Sequence, residues 1–226
     1  MLYIVSTPIG NLSDISLRAI EILKNCDVVL AEDSRQTRKL LDFLKIKGKK
    51  IEPYYEQVEE QKLPKIADML KKNMKVVLLT DAGTPLVSDP GYKLVEMCRK
   101  KKYELTAIPG PVAAINALVL SGSPMDKFVF LGFLPKRSGK RIKILKEYDA
   151  HITKVAYESS YRLLGLLEEL LEVYGEMCVV SVCREMTKKF EEVKSGGVKD
   201  LVRFYRDKEI KGELTIVFYC HKGFKT

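Results

Sequence analysis

Short apolar runs alternate with amphipathic stretches from the first residues onward. Leu2 to Val5, Asp27 to Leu30, Val76 to Thr80 and Glu104 to Ile108 read as strands. Between them, apolar residues recur at helical spacing. Leu17, Ile20 and Leu23 share one face of a segment that Asp14 can cap, and Leu40, Leu41 and Leu44 form a second stripe. This is an α/β arrangement. After Pro109-Gly110-Pro111 a helix begins at Val112, and its small residues allow close approach to a strand or a ligand, although tight packing alone accounts for them. Ser121-Gly122-Ser123-Pro124 breaks the pattern and sets a boundary between an N-terminal α/β domain, 1–121, and a C-terminal one, 125–226. The second domain has strand candidates Phe128 to Leu134, Lys154 to Tyr157, Cys178 to Cys183 and Glu213 to Tyr219. It also has a helix carrying Leu163, Leu164, Leu167, Leu170 and Leu171, and a turn at Gly196-Gly197. With no internal repeat or low-complexity segment, the expectation is two compact α/β lobes joined by a short linker, with a cleft between them as the natural site.

The segment from Thr80 to Tyr92 carries the most chemistry. Asp81-Ala82-Gly83-Thr84-Pro85 and Ser88-Asp89-Pro90-Gly91 follow an apolar strand and precede a helix. Such turn residues let backbone amides approach a small molecule, and ligands of open α/β sheets gather at the carboxyl ends of strands. The same residues also suit an ordinary connection in which Asp89 caps the next helix and Pro90 occupies its first position. Familiar nucleotide motifs are absent. Ser6-Thr7-Pro8-Ile9-Gly10-Asn11-Leu12 follows the first strand where a dinucleotide fold needs Gly-x-Gly-x-x-Gly, and the stretch from Gly132 to Gly139-Lys140-Arg141 has the wrong spacing for a phosphate loop. No Gly-x-Ser-x-Gly elbow occurs.

At 226 residues and 46% hydrophobic content, the chain can bury real cores. A strand candidate begins directly after Met1 and no apolar run reaches membrane-spanning length, so a cytoplasmic location is expected. Cys26, Cys98, Cys178, Cys183 and Cys220 are scattered without a Cys-x-x-Cys pair, which fits reduced core thiols. His151 and His221 have no neighbours at metal-site spacing; both read as surface residues, and no metal is expected. The net charge of +9, from 39 Lys and Arg against 30 Asp and Glu, points modestly to an anionic partner. Lys136, Arg137, Lys140 and Arg141 concentrate cations on a loop and helix start where they suit phosphate contacts, or simply a solvated surface. Arg99-Lys100-Lys101-Lys102 reads as an exposed helix end.

Thr7-Pro8-Ile9-Gly10-Asn11-Leu12, Ala31-Glu32-Asp33-Ser34-Arg35, Asp81-Ala82-Gly83-Thr84-Pro85, Ser88-Asp89-Pro90-Gly91 and Ile108-Pro109-Gly110-Pro111 occur in order. Gly132-Phe133-Leu134-Pro135, Tyr157-Glu158-Ser159, Arg184-Glu185-Met186-Thr187-Lys188 and Gly212-Glu213 follow them. Together they resemble the tetrapyrrole methylase superfamily, in its bacterial 16S rRNA cytidine 2′-O-methyltransferase branch, over essentially the whole chain. The resemblance implies S-adenosylmethionine held between two α/β lobes, a homodimer, and methylation of a ribose hydroxyl near the decoding centre of 16S rRNA in the small ribosomal subunit. It places Pro8, Ile9, Asp81, Ala82, Gly83, Thr84, Pro109, Gly110, Val112 and Ala113 near the cofactor, with Leu134 and Glu185 added from the second lobe. The chain departs from the family pattern in places. Val112 replaces a usual serine, Ser160-Tyr161 stands where Pro-His is usual, and Phe190 replaces a usual histidine. Many relatives also continue into a C-terminal helical extension, so RNA contacts made there are expected to be absent or replaced.

A protonated 2′-hydroxyl is a poor nucleophile, and a carboxylate within hydrogen-bond reach can assist as general base. Asp33 is the candidate, with Arg35 orienting a substrate phosphate; helix capping by Asp33 or Ser34 and a salt bridge to Arg35 is the competing reading. Two other functions remain open: a methyltransferase of the same fold acting on a tetrapyrrole or other small acceptor, and a catalytically silent RNA-binding protein.

Overall fold

The structure, a computed structural model, describes residues 1–220. It divides into two compact units, Met1–Val112 and Ala113–Thr226.

In the first unit, β1 (Leu2–Val5), β2 (Val28–Ala31), β3 (Lys50–Pro53), β4 (Val76–Leu79) and β5 (Leu105–Ile108) form a sheet in the order β3-β2-β4-β1-β5. Every pairing is parallel. The helices α1 (Leu17–Asn25), α2 (Ser34–Phe43), α3 (Glu59–Lys71) and α4 (Tyr92–Lys100) cover it. Alternation along β4 shows how. Val76 and Leu78 pack with Ile66 and Leu70 of α3 and Leu94 of α4, whereas Val77 and Leu79 join Ala19 and Leu23 of α1 and Leu41 of α2. Burial on both faces is why β4 reads as an unbroken apolar run. The chain winds from β1 out to β3, returns to β4, then steps across β1 to β5. Its direction reverses where β1 and β4 lie side by side, the position at which such sheets bind ligands.

Several local expectations change. Ser16, not Asp14, caps α1 by accepting from the Ala19 amide at 3.1 Å, and Leu17 is 86% exposed rather than part of the apolar face. The polar edge strand β3 has no apolar signature. Asp89 does not cap α4, whose N-cap is Gly91 at φ +133°. The buried Glu59 of α3 serves instead. Its Oε1 accepts from the amides of Gly91 and Lys93, both at 3.1 Å, and from the Tyr54 hydroxyl at 2.8 Å. One carboxylate thus satisfies two of the orphan donors of a helix start.

The second unit contains α5 (Ala113–Ser121), β6 (Phe128–Phe133), α6 (Ser138–Glu147), β7 (Thr153–Ser159), α7 (Leu163–Tyr174), β8 (Cys178–Arg184), β9 (Glu192–Gly197), α8 (Val198–Tyr205) and β10 (Glu213–Cys220). The sheet order is β6-β7-β10-β8-β9; β6 and β7 are parallel and the other pairings antiparallel. Val180, Val182, Ile216 and Phe218 pack with Leu145 of α6, Leu166, Leu167 and Leu170 of α7, and Leu201 of α8. On the intervening positions of β8, the Cys183 thiol lies 3.9 Å from the Ala117 carbonyl and the Ser181 hydroxyl 3.4 Å from the Ser121 carbonyl. Helix α5 therefore belongs to this sheet, and the division falls at Val112/Ala113 rather than within 121–125. Gly196-Gly197 is no turn. Both residues lie in β9, paired with Val180 and Val179.

All five cysteines are buried and free. His151 is half-buried, with Nδ1 3.0 Å from the Cys220 carbonyl, and His221 lies outside the described residues. Among the described residues no helix is long and apolar enough to cross a membrane.

Glu59→Ala leaves three donors without their acceptor and should cost about 2–4 kcal/mol in urea unfolding, whereas Glu59→Gln, which keeps one acceptor oxygen, should cost less.

Candidate functional site

Three loops leave the carboxyl ends of the adjacent strands β4, β1 and β5, and side chains and backbone stitch them together. The Thr7 amide donates to the Gly83 carbonyl at 2.8 Å and the Gly83 amide returns to the Thr7 carbonyl at 3.1 Å. Gly83 adopts φ +85°, a conformation that glycine takes without a Cβ penalty. The Thr7 hydroxyl donates to the Thr80 carbonyl at 3.2 Å. The Ser6 and Thr84 hydroxyls lie 2.7 Å apart; Ser6 Oγ is also 3.1 Å from the Ile108 carbonyl and Thr84 Oγ1 3.1 Å from that of Pro111. Two hydroxyl protons face three contacts, so the pair cannot make all three at once. A Cβ on Gly110 would stand 2.7 Å from the Ser6 Cβ, so the β5 loop reaches β1 only with glycine there.

Of the residues expected near a cofactor, this arrangement collects Pro8, Ile9, Asp81, Ala82, Gly83, Thr84, Pro109, Gly110 and Val112 at one edge of the first sheet. Pro8, Ile9 and Gly83 are buried and form its frame. Asp81, Ala82, Pro109 and Gly110 are exposed and form its rim. Ser6 completes the network and was not singled out from the sequence. Its signal there was a pair of hydroxyl residues, Ser6-Thr7, directly after an apolar strand.

The β2 end joins through acidic groups. Thr80 Oγ1 donates to Glu32 Oε2 at 2.7 Å, and the Asp33 amide donates to Asp81 Oδ1 at 3.0 Å. Asp33 caps α2 by accepting from the Arg35 amide at 2.8 Å, and its two oxygens hold the Arg35 guanidinium at 2.7–3.1 Å. These bonds from Arg35 pull the Asp33 carboxyl down to about 2. A carboxylate so acidic is a weak proton acceptor at neutral pH, so the base role expected of Asp33 does not fit its surroundings. Partial desolvation of its carboxyl at the otherwise exposed rim, reinforced by the charges of Glu32 and Asp33, raises Asp81, although the Asp33 amide and Arg35 oppose it. Burial also pushes Asp89 up to about 6, with the Thr80 hydroxyl opposing and the Glu32 and Asp81 charges assisting. The groups facing a ligand here are carbonyls and carboxylates, and the adjacent cation, Arg35, is already paired. That chemistry suits a cationic or hydrogen-donating ligand and disfavours a phosphate. No group of three or more His, Cys, Asp or Glu among the described residues could hold a metal.

The remaining candidates lie in the second unit. Ala113 opens α5, and Leu134 is buried in the core. Glu185, at φ +50°, accepts from the Glu213 amide at 2.9 Å and Lys188 Nζ at 3.0 Å, and the Glu213 amide holds its carboxyl below the usual range. Lys136, Arg137 and Lys140 are exposed. Arg141 is not available to a phosphate. It is buried, donates to Glu169 at 2.6 and 2.7 Å, and holds the carbonyls of Pro135 and Lys136 at 3.1 and 2.8 Å.

The folded state binds the Asp89 proton more tightly than an unfolded chain does, so folding loses stability as pH rises from about 4 to about 6, and the cost is constant above that. Asp89→Asn should raise stability near pH 8 by on the order of 1 kcal/mol, reduced from the full shift by solvent screening, and leave it unchanged near pH 4. Urea unfolding at the two pH values checks this.

The pattern of the Tetrapyrrole (Corrin/Porphyrin) Methylases matches residues 1–202. Ribosomal RNA small subunit methyltransferase I of Escherichia coli O157:H7 is 41% identical over 225 residues, 98% of this chain and 78% of that relative. The protein of the same name from Thermotoga maritima is 41% identical over 218 residues, 96% of each chain. Among solved structures, a Thermus thermophilus uroporphyrin-III C-methyltransferase complexed with S-adenyl homocysteine superposes with a TM-score of 0.63 at 18% identity, covering 96% of both chains. With this sheet order, these stitched strand ends and matches of this extent, the chain belongs to the tetrapyrrole methylase family.

Proposed function

We propose that this chain methylates the ribose 2′-hydroxyl of a cytidine in the decoding region of 16S rRNA, using S-adenosylmethionine and acting as a cytoplasmic homodimer on the small ribosomal subunit. The observation that carries the reading is identity of 41% across nearly the whole chain to proteins named ribosomal RNA small subunit methyltransferase I. The strand-end chemistry supports the cofactor. S-adenosylmethionine carries a sulfonium and an ammonium, and a rim of carbonyls and carboxylates complements both. It supplies an electrophilic methyl group when bound.

In this reading Pro8, Ile9, Ala82, Gly83, Thr84, Pro109 and Gly110 provide backbone contacts and shape, and Asp81 provides a carboxylate oxygen not used by the Asp33 amide. Val112, Ala113, Leu134 and Glu185 are the remaining cofactor candidates. Val112, lacking the hydroxyl usual in the family, contributes backbone and methyl surface. Positioning dominates the rate: the acceptor oxygen must lie in line with the methyl at roughly 3 Å, with water excluded. Asp33 acts by fixing Arg35 and the start of α2, and Arg35 orients substrate. Lys136, Arg137 and Lys140 contact phosphates without reading sequence.

The fold shared with uroporphyrin-III C-methyltransferases favours one second reading, methylation of a tetrapyrrole or other small acceptor. Labelled-methyl transfer separates the possibilities. Ribose-linked label in small subunits supports the proposal, label only in a small acceptor supports the second reading, and subunit binding without transfer marks a silent RNA-binding protein.

Asp33→Asn preserves a good helix cap and should keep single-turnover transfer within about 10-fold of the parent, because little base catalysis is removed. A loss approaching 1,000-fold, within the range of about 10²–10⁴ typical of general-base removal, would restore Asp33 as the base. Gly110→Ala should weaken S-adenosylmethionine binding, measured by calorimetry, by at least about 10-fold through displacement of the β5 loop from Ser6.

A further inference from the structure

We propose that the carboxyl ends of β6 and β7 form a stacking platform for unpaired RNA bases, built from Phe133 and Tyr161 and flanked by Lys136, Arg137 and Lys140. The proposal rests on the rRNA substrate proposed above and adds how the strand is gripped. Two large aromatic rings are left in water at neighbouring strand ends: Phe133 is 62% exposed and Tyr161 80%. Phe133 and Tyr157 are register partners on the parallel strands β6 and β7, and Tyr161 follows in the turn that ends β7.

Both aromatics sit on supports. The Phe133 ring packs against Tyr157 with centroids 5.4 Å apart, and Tyr157 packs against Phe130 at 5.0 Å. Just beyond Phe133, Arg141 anchors the carbonyls of Pro135 and Lys136, so the backbone presenting Lys136 and Arg137 is fixed from below. On the β7 side, the buried Glu158 accepts through Oε1 from the Ser159 amide at 2.7 Å and from Arg162 Nε at 2.6 Å. The Arg162 guanidinium carbon is 5.9 Å from the Tyr161 ring centroid. Glu158 Oε2 is buried and without a hydrogen-bond partner among the described residues.

The occupant follows from charge. Lys136, Arg137 and Lys140 are exposed and make no ion pair among the described residues, in contrast to Arg141 and Arg162. Exposed aromatics and unpaired cations on the segments that follow two paired parallel strands suit a polyanion with flat faces, which is single-stranded nucleic acid. A duplex would satisfy the cations but leave no base face for the rings.

The chain contains no tryptophan, so Phe133→Trp and Tyr161→Trp each create a single fluorescent reporter in an otherwise intact protein. A short unstructured RNA and purified small ribosomal subunits are the probes. Stacking predicts that either RNA quenches both reporters, and that Phe133→Leu and Tyr161→Ala each weaken binding of the short RNA about 10-fold, with Tyr161→Phe restoring it. S-adenosylmethionine binding by the same variants should be unchanged. Unquenched reporters, or binding of the short RNA by Phe133→Leu and Tyr161→Ala at parental strength, would overturn the platform. Because quenching and short-RNA binding need no methyl transfer, a failure of the proposed reaction remains distinct from a failure of the platform.

Discussion

The paired backbone bonds between Thr7 and Gly83 are the constraint on which the rest of the first unit depends. A parallel sheet ends its ladder at the last strand residue and leaves the following loops without partners. Here β1 and its neighbour, the central strand β4, continue to pair for one more step beyond the sheet, in the opposite sense to their ladder. That step requires the positive φ of Gly83. It also carries the Ser6 and Thr84 hydroxyls into contact and, through them, the β5 loop. Each bond contributes only about 1 kcal/mol net, but they share partners, so the loops are fixed as one unit rather than one at a time.

Local charge differs between the strand ends of the two units in a way that the net value of +9 conceals. The strand ends of the first unit present Glu32, Asp33, Asp81 and Asp89, and the arginine among them is neutralised by Asp33. The loop and helix start after β6 present Lys136, Arg137 and Lys140 without compensating carboxylates, while Arg141 is withdrawn into the core by Glu169. A cationic small molecule and a polyanion therefore have separate complementary surfaces on one chain. A methyl donor bearing a sulfonium and an RNA acceptor are such a pair.

How far the sequence reveals this depends on how each residue meets its partner. Strands buried on both faces, such as β4, announce themselves as apolar runs, and the glycines of the strand-end loops mark places where the backbone must turn or approach closely. The polar edge strand β3 and the glycine-ended edge strand β9 carry no such signal, because an edge strand is defined by the neighbour it pairs with. Helix α5 misled the domain boundary for a related reason. It buries Ala114, Ala117 and Leu118 but also exposes Ile115, Val119 and Leu120, so periodicity cannot say which sheet it covers. Arg141 looked like its lysine neighbours because Glu169, its partner, lies a whole strand and helix further along the chain.

Buried carboxylates recur where loops have to be held. Glu59 reaches from α3 to start α4, Glu169 from α7 fixes the arginine that anchors the loop after β6, and Glu158 fixes the turn after β7. For Glu158 and Glu169, paired with Arg162 and Arg141, the desolvation of the buried ion pair offsets much of its attraction, so the pair itself contributes little net stability. Their effect is geometric. A loop held by an acid from a neighbouring element owes its shape less to its own residues, so the side chains it displays can change without changing its path. Tyr161 occupies such a loop, the turn fixed by Glu158. The expectation is that substitutions of this kind alter what the loop grips before they alter the fold.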